Sequence, residues 1–210
     1  EVFIYTKSIG KQAEMHAEAT VCNQETSLQT FQVEWTILNR EKKVIATHKS
    51  ANTTFAPNEK VTVKSNLNIP NAQLWDTEHP YLYTLTTKII SNGKTTDLIH
   101  TRFGVRTFSY QPDGFYLNNK KMKIKGVCVH QDHAGVGTAL LDELQYYRIG
   151  LLKAMGANAY RTAHHPHSPA VLQACDSLGL LVMDETRLLN SGREYRQQFE
   201  DLIKRDRNHA

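Results

Sequence analysis

The hydrophobic pattern changes period near residue 108, and that change limits what the chain can fold into more than any other feature. Before it, apolar and polar residues alternate with period two. Met15, Ala17, Ala19 and Val21 share one face of a strand, with Glu14, His16, Glu18 and Thr20 on the other. Phe31, Val33, Trp35 and Ile37 repeat the pattern against Gln32, Glu34 and Thr36, and Tyr81, Tyr83, Leu85, Thr87 and Ile89 repeat it again. Successive strand side chains point to opposite faces, so segments of this kind bury one face and wet the other. The last of them runs into Ser91-Asn92-Gly93. Asn-Gly signals a tight hairpin, because both residues tolerate positive φ. Short strands roughly ten residues apart, with no helical stretch between them, predict an antiparallel sandwich.

After Phe108 the pattern alternates between strand and helix. Gln111-Pro112-Asp113-Gly114 reads as a turn, and Phe115 to Lys125 as a short hairpin around Asn118-Asn119. Ile124 to Val129 is a short apolar strand. Asp142 to Met155 reads as a helix with Leu144, Leu151, Leu152 and Met155 on one face and Gly156 as its stop. Ala157 to Arg161 is a second strand. Ser168-Pro169 starts a helix, with Ser as cap and Pro at the first helical position. That helix buries Val171, Leu172, Cys175 and Leu178 and ends at Gly179. Leu180 to Met183 is uniformly apolar, as a strand covered on both faces should be, and Arg193 to Arg207 closes the chain as a third helix. Consecutive β-α units imply a parallel sheet, open or barrel-forming.

Composition excludes several classes. The charge of +4 is mild, and the lysines at 120, 121, 123 and 125 have no interleaved aromatic residues, which favours a solvated hairpin tip over a nucleic-acid patch. The three cysteines, Cys22, Cys128 and Cys175, are too scattered for a disulfide framework or a zinc ribbon. No apolar run approaches the ~20 residues of a membrane span, and no signal-peptide pattern opens the chain, so the compartment stays open. No Gly-rich phosphate loop follows a predicted strand, which counts against a doubly wound nucleotide-binding domain.

In a parallel β/α array, polar groups at the C-terminal ends of the strands converge on one mouth. The first strand delivers His130, Gln131, Asp132 and His133, the second Arg161, His164, His165 and His167, and the third Asp184, Glu185 and Arg187. Such a mouth suits a hydroxyl-rich or anionic ligand. His130/His133 and His164/His167 allow a zinc reading, but catalytic zinc wants three protein ligands, and paired i, i+3 histidines on loops support it weakly. Arg161 has a structural alternative, an ion pair with Asp184 or Glu185. Cys128 either contacts ligand or only fills space.

Asn158-Ala159-Tyr160-Arg161-Thr162-Ala163-His164-His165-Pro166, followed by Val171-Leu172, Asp176, Gly179 and Leu180 to Met183, resembles the long signature of family 2 glycoside hydrolases, with His165 where the family usually has Tyr. Gly126-Val127-Cys128-Val129-His130-Gln131-Asp132-His133 resembles that family's first barrel strand, with Cys128 in place of its usual Asn. Asp206-Arg207-Asn208-His209 resembles the start of its second signature. Leu74 to Tyr83 and Phe103-Gly104-Val105-Arg106 resemble the end of its immunoglobulin-like domain. The resemblance implies an immunoglobulin-like β-sandwich over residues 1–108, followed over 109–210 by the first three β/α units of a TIM (β/α)8 barrel.

It also implies a retaining β-glycosidase that uses two glutamates, an acid/base and a nucleophile, both expected beyond Ala210, so the 210 residues alone are expected to be inactive. A β-galactosidase is the leading expectation, with a β-glucuronidase, a β-mannosidase or a non-catalytic carbohydrate-binding module as alternatives. By the same resemblance His164 and His209 contact the sugar and Arg161 orients the nucleophile. Asp132, near the pocket, is placed with the substrate contacts; Asp184 and Glu185 shape the pocket from behind. No cofactor is expected within this chain; a divalent cation in the parent would find its ligands elsewhere. The expected partner is carbohydrate, with neither nucleic acid nor membrane. Unpaired parallel strand edges make self-association or marginal stability an expectation too.

Overall fold

The computed structural model describes residues 1–188 and 190–210. The chain divides into two compact units, Glu1–Gln73 with Leu82–Thr107, and Leu74–Tyr81 with Phe108–Ala210.

The first unit is all β. Its strands are β1 (Val2–Ile9), β2 (Gln12–Cys22), β3 (Gln29–Leu38), β4 (Val44–Lys49), β5 (Thr53–Phe55), β6 (Lys60–Pro70), β7 (Leu82–Ser91) and β8 (Lys94–Gly104). They form an antiparallel sheet in the order β1-β2-β6 and another in the order β4-β3-β7-β8, with β5 also on β3. The period-two reading holds. Met15, Ala17 and Ala19 of β2, Phe31, Val33, Trp35 and Ile37 of β3, and Tyr83 and Leu85 of β7 are all buried. Tyr81 lies outside β7 and belongs to the second unit. Asn92 and Gly93 have φ of 51° and 74°, the left-handed pair that a two-residue hairpin requires. Between β4 and β5 the edge strand breaks, and Ser50 repairs the ladder: its Oγ accepts the Val33 N–H at 3.0 Å while its own N–H donates to the Val33 carbonyl at 2.9 Å.

The second unit begins with the antiparallel sheet β11-β10-β9, made of β9 (Phe108–Gln111), β10 (Gly114–Leu117) and β11 (Lys120–Met122). Asn118 and Asn119, at φ of 51° and 63°, make the expected hairpin. Of the lysine cluster, Lys121 pairs with Asp113 at 2.8 Å, in keeping with a solvated tip. A parallel sheet β12-β13-β14 follows, from β12 (Gly126–Val129), β13 (Ala159–Thr162) and β14 (Leu181–Met183). The intervening helices are α1 (Asp142–Ala154) and α2 (Pro169–Leu178), and α3 (Arg193–Asp206) comes last.

Strand parity sorts this sheet into two faces. Val127, Val129, Tyr160 and Val182 pack with Ile149 of α1 and Val171, Leu172, Ala174 and Cys175 of α2. On the opposite face Cys128, Arg161 and Met183 lie in one transverse row, set by the registers Cys128–Arg161 and Arg161–Met183. Met183 is 65% exposed, so none of the described residues covers this face of β14.

The buried stripe of α1 differs in part from expectation: Leu152 packs against the core as expected, but Gln145 and Ile149 are the buried residues, while Leu151 and Met155 are exposed. The stripe is turned by about one residue, or 100°. A buried Gln, which accepts a bond from Arg148 at 3.4 Å, hides it from an apolar count. Ser168 has the extended backbone of a helix cap, but its side chain makes no capping bond. The Gln131 side-chain oxygen takes the Ser168 N–H instead, at 2.6 Å, tying the loop after β12 to the start of α2.

Residues 74–81 are anchored to α2. Trp75 is fully buried and its indole N–H donates to the Asp176 carbonyl at 2.8 Å. Gly179 ends α2 at φ 78°, and a Cβ there would stand 2.9 Å from the Thr77 carbonyl carbon and closer still to its oxygen. Both the conformation and the contact therefore require glycine. Gly179→Ala should destabilise this unit by about 2–3 kcal/mol, since strain adds to a clash with backbone that cannot rotate away. Gly156→Ala, at φ 94° with nothing within 4 Å of its Cβ, should cost only about 1 kcal/mol. Denaturant unfolding of both variants measures the difference; equal losses would contradict the close-approach argument.

Candidate active site

Thr162 organises the mouth. It ends β13 fully buried, its hydroxyl donates to Asp184 Oδ1 at 2.8 Å, and the same oxygen accepts the Glu185 N–H at 3.0 Å. The Glu185 N–H also reaches Asp184 Oδ1 at 3.1 Å. The chain leaving β14 is thereby pinned to the end of β13, which brings the Glu185 side chain to Arg161 and His164.

Glu185 is the hub of the cluster. One carboxylate oxygen meets the Arg161 guanidinium at 2.8 Å and the other meets His164 Nδ1 at 2.8 Å. Arg161 also lies 3.3 Å from His164 Nδ1 and donates toward Cys128 Sγ at 3.5 Å. The His130 ring meets His164 edge-on, with centroids 5.3 Å apart. His164 is exposed and follows a cis Ala163–His164 peptide. The ion-pair alternative for Arg161 is therefore realised, with Glu185 as the partner.

Two expected site residues lie elsewhere. His209 donates from Nδ1 to Asp176 Oδ2, 2.6 Å away near the C-terminal end of α2. Helix α2 leaves the C-terminal end of β13 and returns to the start of β14, so His209 sits at the end of the sheet opposite the mouth. Its place is structural: Asp176 is buried and needs charge-matched partners. Asp132 is exposed in the loop after β12, and no described contact ties it to the cluster. His167, paired with His164 by spacing, instead turns into the helix layer, where Tyr160 Oη lies 2.8 Å from its Nδ1. Burial lowers its pKa to about 4, which keeps the ring neutral. Among the described residues no group of three His, Cys, Asp or Glu side chains is placed to hold a metal ion.

The central role of Glu185, and the presence of His130, were underrated in the sequence. Parity carried the signal: Cys128 and His130 are two apart on the open face of β12, and Met183 and Glu185 are two apart on that of β14.

Asp184 behaves differently from its neighbour. Burial pushes its carboxyl up to about 6, the neighbouring Asp206 carboxylate adds to the rise, and the Thr162 hydroxyl opposes it. Asp206 is itself gripped by Arg205, at 2.6 Å. Because the folded pKa lies above the unfolded value near 3.9, the folded state holds this proton more tightly. Asp184 thus opposes folding increasingly as pH rises from about 4 to about 6, and fully above that. Asp184→Asn keeps a hydrogen-bond acceptor for Thr162 and supplies an N–H toward Asp206. Its melting temperature should exceed that of the unsubstituted chain at pH 7, and the gain should vanish by pH 4. A loss of stability at pH 7 would contradict this assignment.

Comparison with known proteins agrees with this architecture. Residues 1–106 match the family model of glycosyl hydrolases family 2, and residues 109–206 match its TIM barrel domain, which identifies the parallel sheet as part of such a barrel. A β-galactosidase of Bacteroides ovatus is 34% identical over 99% of the chain, and the chain spans 26% of that protein. A putative β-glucuronidase of Formosa agariphila is 46% identical over 56% of the chain, which spans 14% of it. A solved family 2 structure from Bacteroides cellulosilyticus superposes with a TM-score of 0.92 at 31% identity, covering 99% of this chain and 28% of that one. With residues 1–106 and 109–206 both matched by family models, the chain belongs to family 2 of the glycosyl hydrolases.

Proposed function

We propose that these 210 residues supply sugar contacts to the active site of a longer retaining β-glycosidase, with β-galactosides as substrates. The observation that carries this reading is the Arg161–Glu185–His164 cluster at the C-terminal ends of the parallel strands. In a barrel enzyme that end is where substrate binds. His164 would hydrogen-bond a sugar hydroxyl through its outward nitrogen, and Arg161 would orient the nucleophile. Both catalytic glutamates come, in this reading, from parts of the parent beyond this chain. Retaining chemistry sets them about 5 Å apart, one protonating the leaving oxygen while the other attacks the anomeric carbon. Asp132 and His209 take no sugar contact in this reading.

The sugar assignment rests on charge. Glu185 matches the Arg161 guanidinium, which among the described residues of the cluster leaves little net positive charge for the carboxylate of a glucuronide. The name and 46% identity of the Formosa agariphila relative favour a glucuronide instead, so both sugars belong in the test. The polypeptide extended through the complete barrel should hydrolyse p-nitrophenyl β-D-galactoside faster than the β-D-glucuronide. His164→Asn should lower kcat/KM by about tenfold to a hundredfold, the loss expected for one hydrogen bond in the transition state. Preference for the glucuronide would reverse the sugar assignment. Turnover of neither sugar would favour a non-catalytic carbohydrate-binding role.

A further inference from the structure

Two residues compete for one atom at the mouth. His164 Nδ1 lies 2.8 Å from a Glu185 oxygen, which can only accept, and 3.3 Å from an Arg161 nitrogen, which can only donate. A ring nitrogen has a single in-plane lobe, so it either carries a proton for Glu185 or offers a lone pair to Arg161. A lone pair facing a carboxylate oxygen at 2.8 Å would be strongly repulsive. An N–H beside a guanidinium at 3.3 Å costs less, because that guanidinium is already matched by the other Glu185 oxygen at 2.8 Å. The proton therefore sits on Nδ1.

From this geometry we infer that Glu185 is a positioning residue: it fixes the Nδ1–H tautomer of His164, so that Nε2 presents a lone pair to a sugar hydroxyl that must donate. The inference rests on the glycosidase reading and deepens it. It assigns the direction of the hydrogen bond that the substrate makes. The edge-on His130 ring, at 5.3 Å, keeps the His164 ring in the plane that its bond to Glu185 selects. Thr162, through the Glu185 N–H at 3.0 Å, holds the carboxylate in place from behind.

Glu185→Gln separates this role from charge balance. An amide has one acceptor oxygen, and Arg161, a fixed donor, claims it. The amide NH2 then faces Nδ1 and forces it to accept, which moves the proton to Nε2 and inverts what the sugar meets. Glu185→Asp keeps both acceptor oxygens and should restore the original tautomer in part.

The test uses the full-length parent with β-galactosides in which each hydroxyl in turn is replaced by hydrogen or by fluorine. Fluorine cannot donate and repels a lone pair, so at the hydroxyl read by His164 the fluoro substrate should be worse than the deoxy one. Glu185→Gln should lower kcat/KM for the natural sugar by on the order of tenfold to a hundredfold. It should also raise the fluoro-to-deoxy ratio at that one position, a comparison in which fluorine's intrinsic electronic effect cancels between enzymes. Glu185→Asp should recover the original ratio. In a His164→Ala background, Glu185→Gln should cost no more than about twofold, the usual scatter of additivity.

An equal cost of Glu185→Gln in both backgrounds, or an unchanged ratio at every position, would overturn the inference while leaving the glycosidase reading intact. A parent that cleaves no β-glycoside would overturn that reading, and the inference with it.

Discussion

Asp176 is buried near the end of α2, and its groups bond to two separate parts of the second unit, the segment at Trp75 and the C-terminal residues. Its carbonyl accepts the Trp75 indole N–H at 2.8 Å, and its carboxylate meets His209 at 2.6 Å and the Ala210 N–H at 2.8 Å. Removing one partner of a buried charge typically costs about 3–5 kcal/mol, so these bonds hold the helix firmly. Just beyond, Gly179 lies against the Thr77 carbonyl, and Lys153 of α1 donates to that carbonyl and, at 3.2 Å, to Gly179. Helix α2 is therefore fixed at the foot of the sheet. Its position sets where β14 begins, and hence where Asp184 and Glu185 emerge at the other end.

The opposite end uses the same means for a different purpose. Thr162 spends one hydroxyl on both Asp184 and the Glu185 backbone, and that economy leaves the Glu185 carboxylate free for Arg161 and His164. The two adjacent acids then diverge. Asp184 is turned inward, toward Asp206, and holds its proton to about pH 6. Glu185 faces the open side in the company of a guanidinium. Adjacent side chains on a strand point to opposite faces, and here that alternation separates an acid that shapes the fold from one that shapes the mouth.

Much of this was legible in the sequence because it is local. Phe31, Val33, Trp35 and Ile37 alternate as a half-buried strand must, Asn92-Gly93 and Asn118-Asn119 turn where positive φ is needed, and Pro169 and Gly179 bracket α2. What was not legible depends on partners distant in the chain. Gln145 sits in the stripe of α1 that packs inward, and no apolar periodicity reveals a buried amide. His209 stands beside a signature-like run, yet its partner Asp176 is 33 residues away on the far end of a helix. Asp132 has the same parity as Cys128 and His130, but it lies further along the loop after β12 and is exposed there. Parity along β14 would have favoured Glu185 over Asp184, and parity along β12 singles out His130 as the first polar side chain beyond Cys128.

The central claim is that the ends of β12, β13 and β14 form the sugar-contacting part of a glycosidase site. The most direct measurement is a crystal structure of the polypeptide extended through the complete barrel, with a terminal sugar bound. The account predicts His164 Nε2 within about 3 Å of one sugar hydroxyl, with Glu185 still bridging Nδ1 and Arg161. A sugar seated away from these strand ends would contradict it.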